Sequence, residues 1–262
     1  MKNKIKVLII DDSALVRQML TEIINADREL EVVGVAADPL IARDKIKQLN
    51  PDVLTLDVEM PRMDGISFLS NLMRLRPMPV VMVSTLTEAG AEITLDALEL
   101  GAIDFITKPK IDFSNTIQEY SEELIRKLKI AANANIISRS KDKQSKGNIK
   151  KLAVKEKNTA DAILELNSGK RNYRLTDKII AIGASTGGTE AIKDVLIDMP
   201  ANSPGIVITQ HIPEKFSASF AQRMDKLSLM KVCEAVDGQQ VLPGHVYIAP
   251  GGQHLLIERS GA

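Results

Sequence analysis

The stretch Lys178–Thr189 reads KIIAIGASTGGT and decides how the second half of this chain folds. Its apolar run, Ile179–Ile182, predicts a buried strand that breaks at Gly183, and a helical pattern follows over Glu190–Leu196. Between the two stands Ser185, at the carboxyl end of the strand, where open α/β sheets bind their ligands. Glycine N–H groups and the helix N-terminus can stabilise a developing oxyanion there, so the pattern is typical of an exposed nucleophile.

A histidine ends the next β-type run of this half. The run Val207–His211 reads VITQH, so two strand ends can bring Ser185 and His211 together as nucleophile and base. The same spacing also fits a glycine turn that binds phosphate, with a histidine of the core beside it. Spacing alone leaves both interpretations open with similar weight.

Length and composition exclude several classes of protein. A chain of 262 residues favours two domains. Basic and acidic residues number 34 each and aromatic residues are 3%, which argues against nucleic-acid binding. The single cysteine, Cys233, excludes an internal disulfide and is expected in the core. Because no signal-peptide pattern and no apolar stretch of about 20 residues occurs, we expect a cytoplasmic protein without membrane insertion.

Strand and helix patterns alternate along the first half. The predicted strands are Ile5–Ile10, Val32–Ala36, Val53–Leu56, Val80–Val83 and Ile103–Ile106. The predicted helices are Ala14–Ala26, Leu40–Leu49, Phe68–Leu75, Ile93–Leu100 with Gly101 as its C-cap, and 116–132. This alternation predicts an α/β fold with a parallel sheet covered by helices on both faces.

Charged residues stand at the carboxyl ends of these strands. Asp11, Asp12 and Asp57 follow or end two of them, and Lys108 follows the last. Carboxylates gathered in one crevice repel each other unless a cation lies among them, and their hard oxygens suit Mg²⁺, which also binds phosphate. A single strand-end aspartate is usually just a solvated loop residue, but charged residues at this many strand ends favour a site.

These residues, with Met60–Gly65, Ser84 and Lys108–Pro109, resemble a response-regulator receiver domain over residues 1 to about 130. The resemblance implies a flavodoxin-like doubly wound sheet. It also implies that Asp57 accepts a phosphoryl group from a chemotaxis histidine kinase. Mg²⁺ would be held by Asp11, Asp12, Asp57 and the backbone carbonyl of Glu59.

The same resemblance implies a switch. Ser84 would hydrogen-bond the new phosphoryl group, Lys108 would pair with it, and Phe105 occupies the aromatic switch position without a hydroxyl group. The bond between Lys108 and Pro109 is expected to be cis, which an X–Pro bond tolerates. The added charge of about −1.5 to −2 would draw Ser84 and Lys108 toward Asp57.

A polar and basic segment separates the two halves. Over Arg139–Lys157, lysine and arginine far outnumber acidic residues and apolar residues are few, which predicts a solvated linker. A basic tail that binds nucleic acid is a less favoured alternative. We place a receiver domain at 1–135, a charged linker at 136–175 and a second domain at 176–262.

The second half begins as another parallel, doubly wound α/β sheet. Its predicted strands are Ile179–Ile182, Ile206–Thr209, Val232–Val236, Val246–Ile248 and Leu255–Ile257, and its predicted helices are Thr189–Leu196 and Phe216–Met224.

Three segments of this half, Gly183–Gly188, Gln210–Pro213 and Val246–Gly252, resemble the catalytic domain of the chemotaxis protein-glutamate methylesterases. The resemblance implies a phosphorylation-regulated enzyme, without a cofactor for the esterase reaction. It would remove methyl esters from glutamates of methyl-accepting chemotaxis receptors and deamidate certain receptor glutamines. Ser185 would attack the γ-carbonyl, His211 would act as the base, and Thr186 would orient His211 or support the oxyanion.

The third member of that family's triad has no match here. The family supplies an aspartate from a Gly-Met-Gly-x-Asp-Gly type loop, which this sequence does not contain, and Asp177, Asp194 and Asp237 lie outside any such motif. We therefore expect a catalytic domain that is incomplete at its C-terminal side. A rival interpretation keeps a working receiver whose second half only docks to a receptor or kinase. A DNA-binding regulator is disfavoured by the neutral charge and few aromatic residues.

Overall fold

The computed structural model describes residues 4–60, 64–85, 87–108, 114–134 and 178–259. The chain divides into two compact units, Met1–Lys141 and Asp142–Ala262, which are described separately below. The linker proposed at 136–175 lies outside the described residues, so the domain boundaries remain predictions.

The first unit is a parallel five-stranded sheet with the order β2-β1-β3-β4-β5. Its strands are β1 (Ile5–Ile10), β2 (Leu30–Ala36), β3 (Val53–Asp57), β4 (Val80–Ser84) and β5 (Asp104–Thr107). Its helices are α1 (Ala14–Ala26), α2 (Pro39–Leu49), α3 (Gly65–Leu75), α4 (Glu88–Leu100) and α5 (Ser114–Ala132). This order is that of flavodoxin-like doubly wound folds, as expected.

The core of the first unit lies on both faces of its sheet. Val7 and Ile9 of β1 share one apolar cluster with residues of α1 and α5, including Leu128. The alternating neighbours Leu8 and Ile10 are equally buried, so the opposite face is covered as well. A strand buried on both sides needs the continuous apolar run that β1 shows.

Local capping fixes where the helices of the first unit begin and end. The side chains of Ser13, Asp38 and Asp64 accept backbone N–H groups at the starts of α1, α2 and α3. The predicted C-cap at Gly101 is confirmed, because this residue ends α4 with a φ of 115° in the left-handed region.

The second unit is a parallel four-stranded sheet with the order β6-β7-β9-β8. Its strands are β6 (Ile179–Ala184), β7 (Gly205–Gln210), β8 (Lys231–Glu234) and β9 (His245–Ile248). Its helices are α6 (Gly188–Asp198) and α7 (Glu214–Leu227). Phe216 and Phe220 of α7 are buried and belong to its core.

Three strand predictions in this unit need correction. Residues Leu255–Ile257 form no strand, and Leu256 is 82% exposed. An apolar run makes a strand only when a neighbour pairs with its backbone, and among the described strands none pairs with this run. The strand at Val232 ends at Glu234 instead of Val236, because the chain turns at Gly238 with a φ of 71°. Conversely, β6 does not break at Gly183 but continues to Ala184.

Among the described residues, no helix is long and apolar enough to cross a membrane.

We expect residues 1–135 to fold alone and to melt in one cooperative transition, because the first unit has its own two-sided core. Circular dichroism and calorimetry should give the same midpoint, with equal calorimetric and van't Hoff enthalpies. A fragment that ends at residue 100 is the control. It loses β5 and the buried Leu124, Leu128 and Ala131 of α5, so it should not melt cooperatively. Two separate transitions in the longer fragment would contradict an independent first unit.

Candidate functional site

The first candidate site lies where four neighbouring strands end. Asp11 and Asp12 follow β1, Asp57 ends β3, Ser84 ends β4 and Lys108 follows β5. Because these strands are adjacent and parallel, their carboxyl ends meet at one edge of the sheet. One carboxylate oxygen from each of the three aspartates lies within 4.8 Å of the others. The structure therefore brings together the acids and the lysine that the sequence analysis singled out.

Lys108 is the counter-ion of this cluster. Its Nζ lies 2.8 Å from Asp57 Oδ2 and 3.6 Å from Asp11 Oδ2. Asp57 and Asp11 are almost completely buried, whereas Asp12 is exposed. A ligand that arrives from solvent thus meets Asp12 first and Asp57 at the base of the crevice.

Burial dominates the electrostatics of the cluster. It raises the pKa of Asp57 from 3.8 to about 6, an effect that the Lys108 hydrogen bond opposes and the charge of Asp11 increases. Burial also raises the pKa of Asp11, against the charge of Lys108. The pKa of Lys108 is raised, because its bond to Asp57 and the nearby acidic charges outweigh the opposing effect of burial. One lysine therefore does not fully compensate the buried carboxylates.

The donor set fits a magnesium ion. Three carboxylates within reach of one another supply hard oxygen ligands, and the exposed Asp12 leaves the site open to water. Asp11 Oδ2 is buried and has no hydrogen-bond partner among the described residues, although Lys108 lies near it. Glu59 is at the same crevice, where its backbone N–H donates to Asp57 Oδ1 at 3.1 Å.

Ser84 is held by a residue that the sequence analysis missed. Thr94, buried on α4, lies with its Oγ1 2.8 Å from Ser84 Oγ and 2.6 Å from the carbonyl oxygen of Gly90. In this state the Ser84 hydroxyl is bonded on the α4 side of the crevice. A threonine within a helical pattern carries no local signal that its partner is ten residues earlier, at a strand end.

Phe105, at the expected switch position, is buried at 2% exposure. Lys127 of α5 lies 5.2 Å from the centre of its ring and donates to its backbone carbonyl. Lys127 also pairs with Asp104 at 3.2 Å, so a buried ion pair joins α5 to β5 beside the aromatic ring. No pattern along the chain predicts a buried lysine at this position. Pro109 lies outside the described residues. The expected cis bond between Lys108 and Pro109 therefore stays a prediction.

The second candidate site lies at the ends of β6 and β7. Ala184 pairs with Gln210 in the parallel register, so Ser185 and His211 leave adjacent strands side by side. The N–H of His211 donates to the carbonyl of Ala184 at 3.2 Å, which ties the two strand ends together. Both Ser185 and His211 are exposed.

A tight turn connects Ser185 to α6. Gly187 is the N-cap of α6 with a φ of 75°, a conformation that favours glycine, and no side chain caps the helix there. The carbonyl of Ser185 accepts the N–H of Gly188 at 2.7 Å and the side-chain amide of Gln210 at 2.9 Å. Thr186 Oγ1 is buried and has no partner among the described residues, so it remains available to a ligand or to a moved His211.

The candidate third acids lie away from any predicted motif. Asp194 is exposed on α6, and Asp237 stands in the turn before Gly238, as the Asp-Gly pair indicated. Asp177 lies outside the described residues. The triad acid is therefore unassigned.

Two protein families match this chain. The family model of the response regulator receiver domain matches residues 7–119, and that of the CheB methylesterase matches residues 180–262.

Individual relatives span nearly the whole chain. A protein-glutamate methylesterase/protein-glutamine glutaminase 1 from Geobacter metallireducens is 60% identical over 258 residues, which are 98% of this chain and 68% of the relative. One from Hydrogenovibrio crunogenus is 56% identical, over 99% of this chain and 73% of the relative. The crystal structure of the response regulator domain of Thermotoga maritima CheB is 46% identical and covers 51% of this chain and 100% of its own, with a TM-score of 0.46.

Asp57→Asn should stabilise the first unit at neutral pH when Mg²⁺ is absent. The folded pKa of about 6 exceeds the ordinary 3.8, so the folded state binds more protons than the unfolded state between these values. The contribution of Asp57 to stability therefore falls as the pH rises through this window. We expect a gain of about 1–3 kcal/mol for the variant at pH 8, nearly absent at pH 4. Urea unfolding in EDTA at both pH values measures it.

The exposed Asp52→Asn is the control for this experiment, because Asp52 is not a member of the buried acidic cluster. A larger loss of stability for Asp57→Asn at pH 8 than at pH 4 would contradict a raised pKa.

Proposed function

The chain belongs to the family of CheB methylesterases that carry a response regulator receiver domain, and on this premise we propose a phosphorylation-regulated methylesterase and glutaminase. It hydrolyses methyl esters of receptor glutamates and deamidates receptor glutamines. The observation that carries the proposal is the presence of both sites in one chain. A buried aspartate paired with lysine lies in the first unit, and an exposed serine beside a histidine lies in the second.

In the first unit, an Asp57 oxygen attacks the phosphorus atom of a phosphodonor, and the bond from phosphorus to the donor breaks as the acyl phosphate forms. The donor is the phosphohistidine of a chemotaxis kinase. Asp11, Asp12, Asp57 and the backbone carbonyl of Glu59 would hold Mg²⁺, whose positive charge would screen the carboxylates from the incoming phosphoryl group. Lys108 already lies 2.8 Å from Asp57 Oδ2 and remains beside the reacting atoms.

Phosphorylation then changes which bonds are favourable around the crevice. The phosphoryl group adds about −1.5 to −2 charge and three acceptor oxygens. The Ser84 hydroxyl now has only long bonds to the carbonyls of Thr85 and Gly90, at 3.4 and 3.5 Å among the described residues, so the phosphoryl oxygens offer it a stronger acceptor and it turns toward Asp57. The buried Phe105 ring, at the switch position on the neighbouring β5, then reorients as the second part of the switch. Phosphorylation of Asp57 therefore changes the side-chain conformations on β4 and β5, next to the strand that carries the phosphoryl group.

In the second unit, Ser185 Oγ attacks the γ-carbonyl carbon of the receptor side chain while His211 accepts its proton. The oxyanion is stabilised by N–H groups of the glycine turn and by Thr186 at the start of α6. His211 then protonates the leaving group, so methanol departs from an ester and ammonia from an amide. Water, activated by His211, hydrolyses the acyl-enzyme to glutamate and regenerates Ser185.

Two alternatives are less well supported. A second half that only docks to a receptor or kinase is disfavoured, because the methylesterase family match includes both Ser185 and His211. A DNA-binding regulator is disfavoured because the second unit is a parallel sheet instead of a helix-turn-helix. The proposal also includes the partners and the location of the protein. Its partners are a chemotaxis histidine kinase and methyl-accepting receptors, and its location is the cytoplasm.

Asp57 should be the sole carboxylate that takes up a phosphoryl group. Incubation with a small phosphodonor and Mg²⁺ should add the mass of one phosphoryl group to the protein, measured by intact mass spectrometry. Asp57→Asn should take up none, since its amide is a poor nucleophile, while Asp52→Asn should behave as the unsubstituted protein. Equal uptake by Asp57→Asn would contradict the assignment.

Ser185→Ala should reduce methanol release from methylated receptor by about 10³-fold or more, and His211→Ala should do nearly the same. The double variant should lose no more than either single one, because the two residues act as a unit. Ser219→Ala on α7 and the exposed His254→Ala are the matched controls and should retain activity. A fully active Ser185→Ala would show that another residue is the nucleophile, and additive losses would show that Ser185 and His211 do not act as a unit.

A further inference from the structure

Gln210 makes a side-chain contact that joins the two strands of the second candidate site. Its Nε2 donates to the carbonyl oxygen of Ser185 at 2.9 Å, from the end of β7 to the residue that follows β6. The same oxygen accepts the N–H of Gly188 at 2.7 Å. Both lone pairs of the Ser185 carbonyl are therefore used, one within the turn and one by the neighbouring strand.

The packing around this side chain is specific. A Cβ atom at Gly188 would stand 2.2 Å from Gln210 Oε1 and 2.7 Å from the Cβ of Ala184. Gly188 is thus the residue that admits the Gln210 side chain over the start of α6. The glycine at this position has a packing reason, apart from the conformational reason that applies at Gly187.

The carbonyl oxygen of the Gln210 side chain is buried at a cost in free energy. Gln210 Oε1 is buried and has no hydrogen-bond partner among the described residues. An apolar side chain of the same length would fill the space without leaving a buried acceptor unpaired, so packing alone does not favour glutamine. What glutamine adds over such a side chain is the N–H donor that holds Ser185.

We propose that Gln210 is a positioning residue for the nucleophile, an inference that rests on the function proposed above. Two bonds fasten the end of β6 to the end of β7: His211 N–H to the Ala184 carbonyl, and Gln210 Nε2 to the Ser185 carbonyl. They lie on consecutive residues of each strand, so they fix both the separation and the twist between Ser185 and His211. Gln210 acts through the backbone carbonyl of Ser185.

The consequence is a defined geometry for proton transfer. Without the Gln210 donor, the Ser185 carbonyl keeps its bond to Gly188 but loses its side-chain bond from β7, so the turn can shift with α6 relative to β7. A displacement near 1 Å between nucleophile and base reduces the reaction rate by about 100-fold while leaving substrate binding largely intact. The residue therefore affects kcat more than KM.

Gln210→Glu and Gln210→Met test the proposal in the protein that carries both units. Both retain the side-chain length and lack the amide donor. We expect kcat for methanol release to fall about 10- to 100-fold with KM changed less than about twofold. Labelling of Ser185 by a fluorophosphonate should slow in proportion. Gln253→Met, at an exposed position, is the matched control and should change none of these.

The pH dependence of labelling separates positioning from a general structural role. A protonated glutamate regains a donor, so the rate of Gln210→Glu relative to the unsubstituted protein should rise as the pH falls from 8 to 5. The relative rate of Gln210→Met should stay flat over the same range, which controls for every pH effect that the two variants share. Unchanged labelling in both folded variants, or a parallel pH response of the two, would overturn the proposal.

A stability measurement distinguishes a failure of this inference from a failure of the proposed function. Gly188→Ala should destabilise the second unit less in a Gln210→Ala background than alone, because the contact at 2.2 Å is gone, although Ala184 still crowds the new Cβ. Chemical unfolding of the four proteins gives this coupling without any enzyme assay. Additive effects would refute the Gln210 contact. Clear coupling in a protein that releases no methanol and takes no label would refute the catalytic role of Ser185 and, with it, the positioning role of Gln210.

Discussion

The register between neighbouring parallel strands is the constraint on which both sites depend. In the first unit, Ile10 pairs with Leu56 and Asp57 with Val83, so residues at or just beyond the strand ends stand side by side above one edge of the sheet. In the second unit, the pairing of Ala184 with Gln210 does the same for the residues that follow them. A slip of one residue would turn these side chains to the opposite face and scatter both sites.

Burial of like charges is the second constraint, and it applies to the first unit. Asp57 and Asp11 lose their hydration, and Lys108 offsets only part of the cost, as the raised pKa of both carboxyl groups indicates. The crevice is therefore short of positive charge before any ligand arrives. That shortage gives a cation its affinity, and it makes the bonds around Ser84 and Lys108 sensitive to any further negative charge.

Close packing around a glycine at a helix start is shared by the two sites. Helices α3 and α6 each begin at a glycine directly behind the functional strand end. A Cβ at Gly65 would stand 2.1 Å from the carbonyl oxygen of Asp57, and one at Gly188 would stand 2.2 Å from Gln210 Oε1. In both cases the absence of a side chain lets the helix start pack against the residue that the chemistry requires. A glycine at the helix start thus permits the packing behind Asp57 in one unit and beside Ser185 in the other.

The sequence by itself determined the α/β class and the strand-end residues Asp11, Asp12, Asp57, Lys108, Ser185 and His211, because apolar runs and the polar residues that end them are local signals. It did not determine the secondary structure of Leu255–Ile257. This apolar run has no pairing strand among the described residues, and a strand forms only when a neighbouring strand pairs with its backbone. The contacts of Thr94 with Ser84, Lys127 with Phe105 and Gln210 with Ser185 were decided by tertiary structure alone. Each joins residues from different elements, and no periodicity along the chain records such a meeting in space.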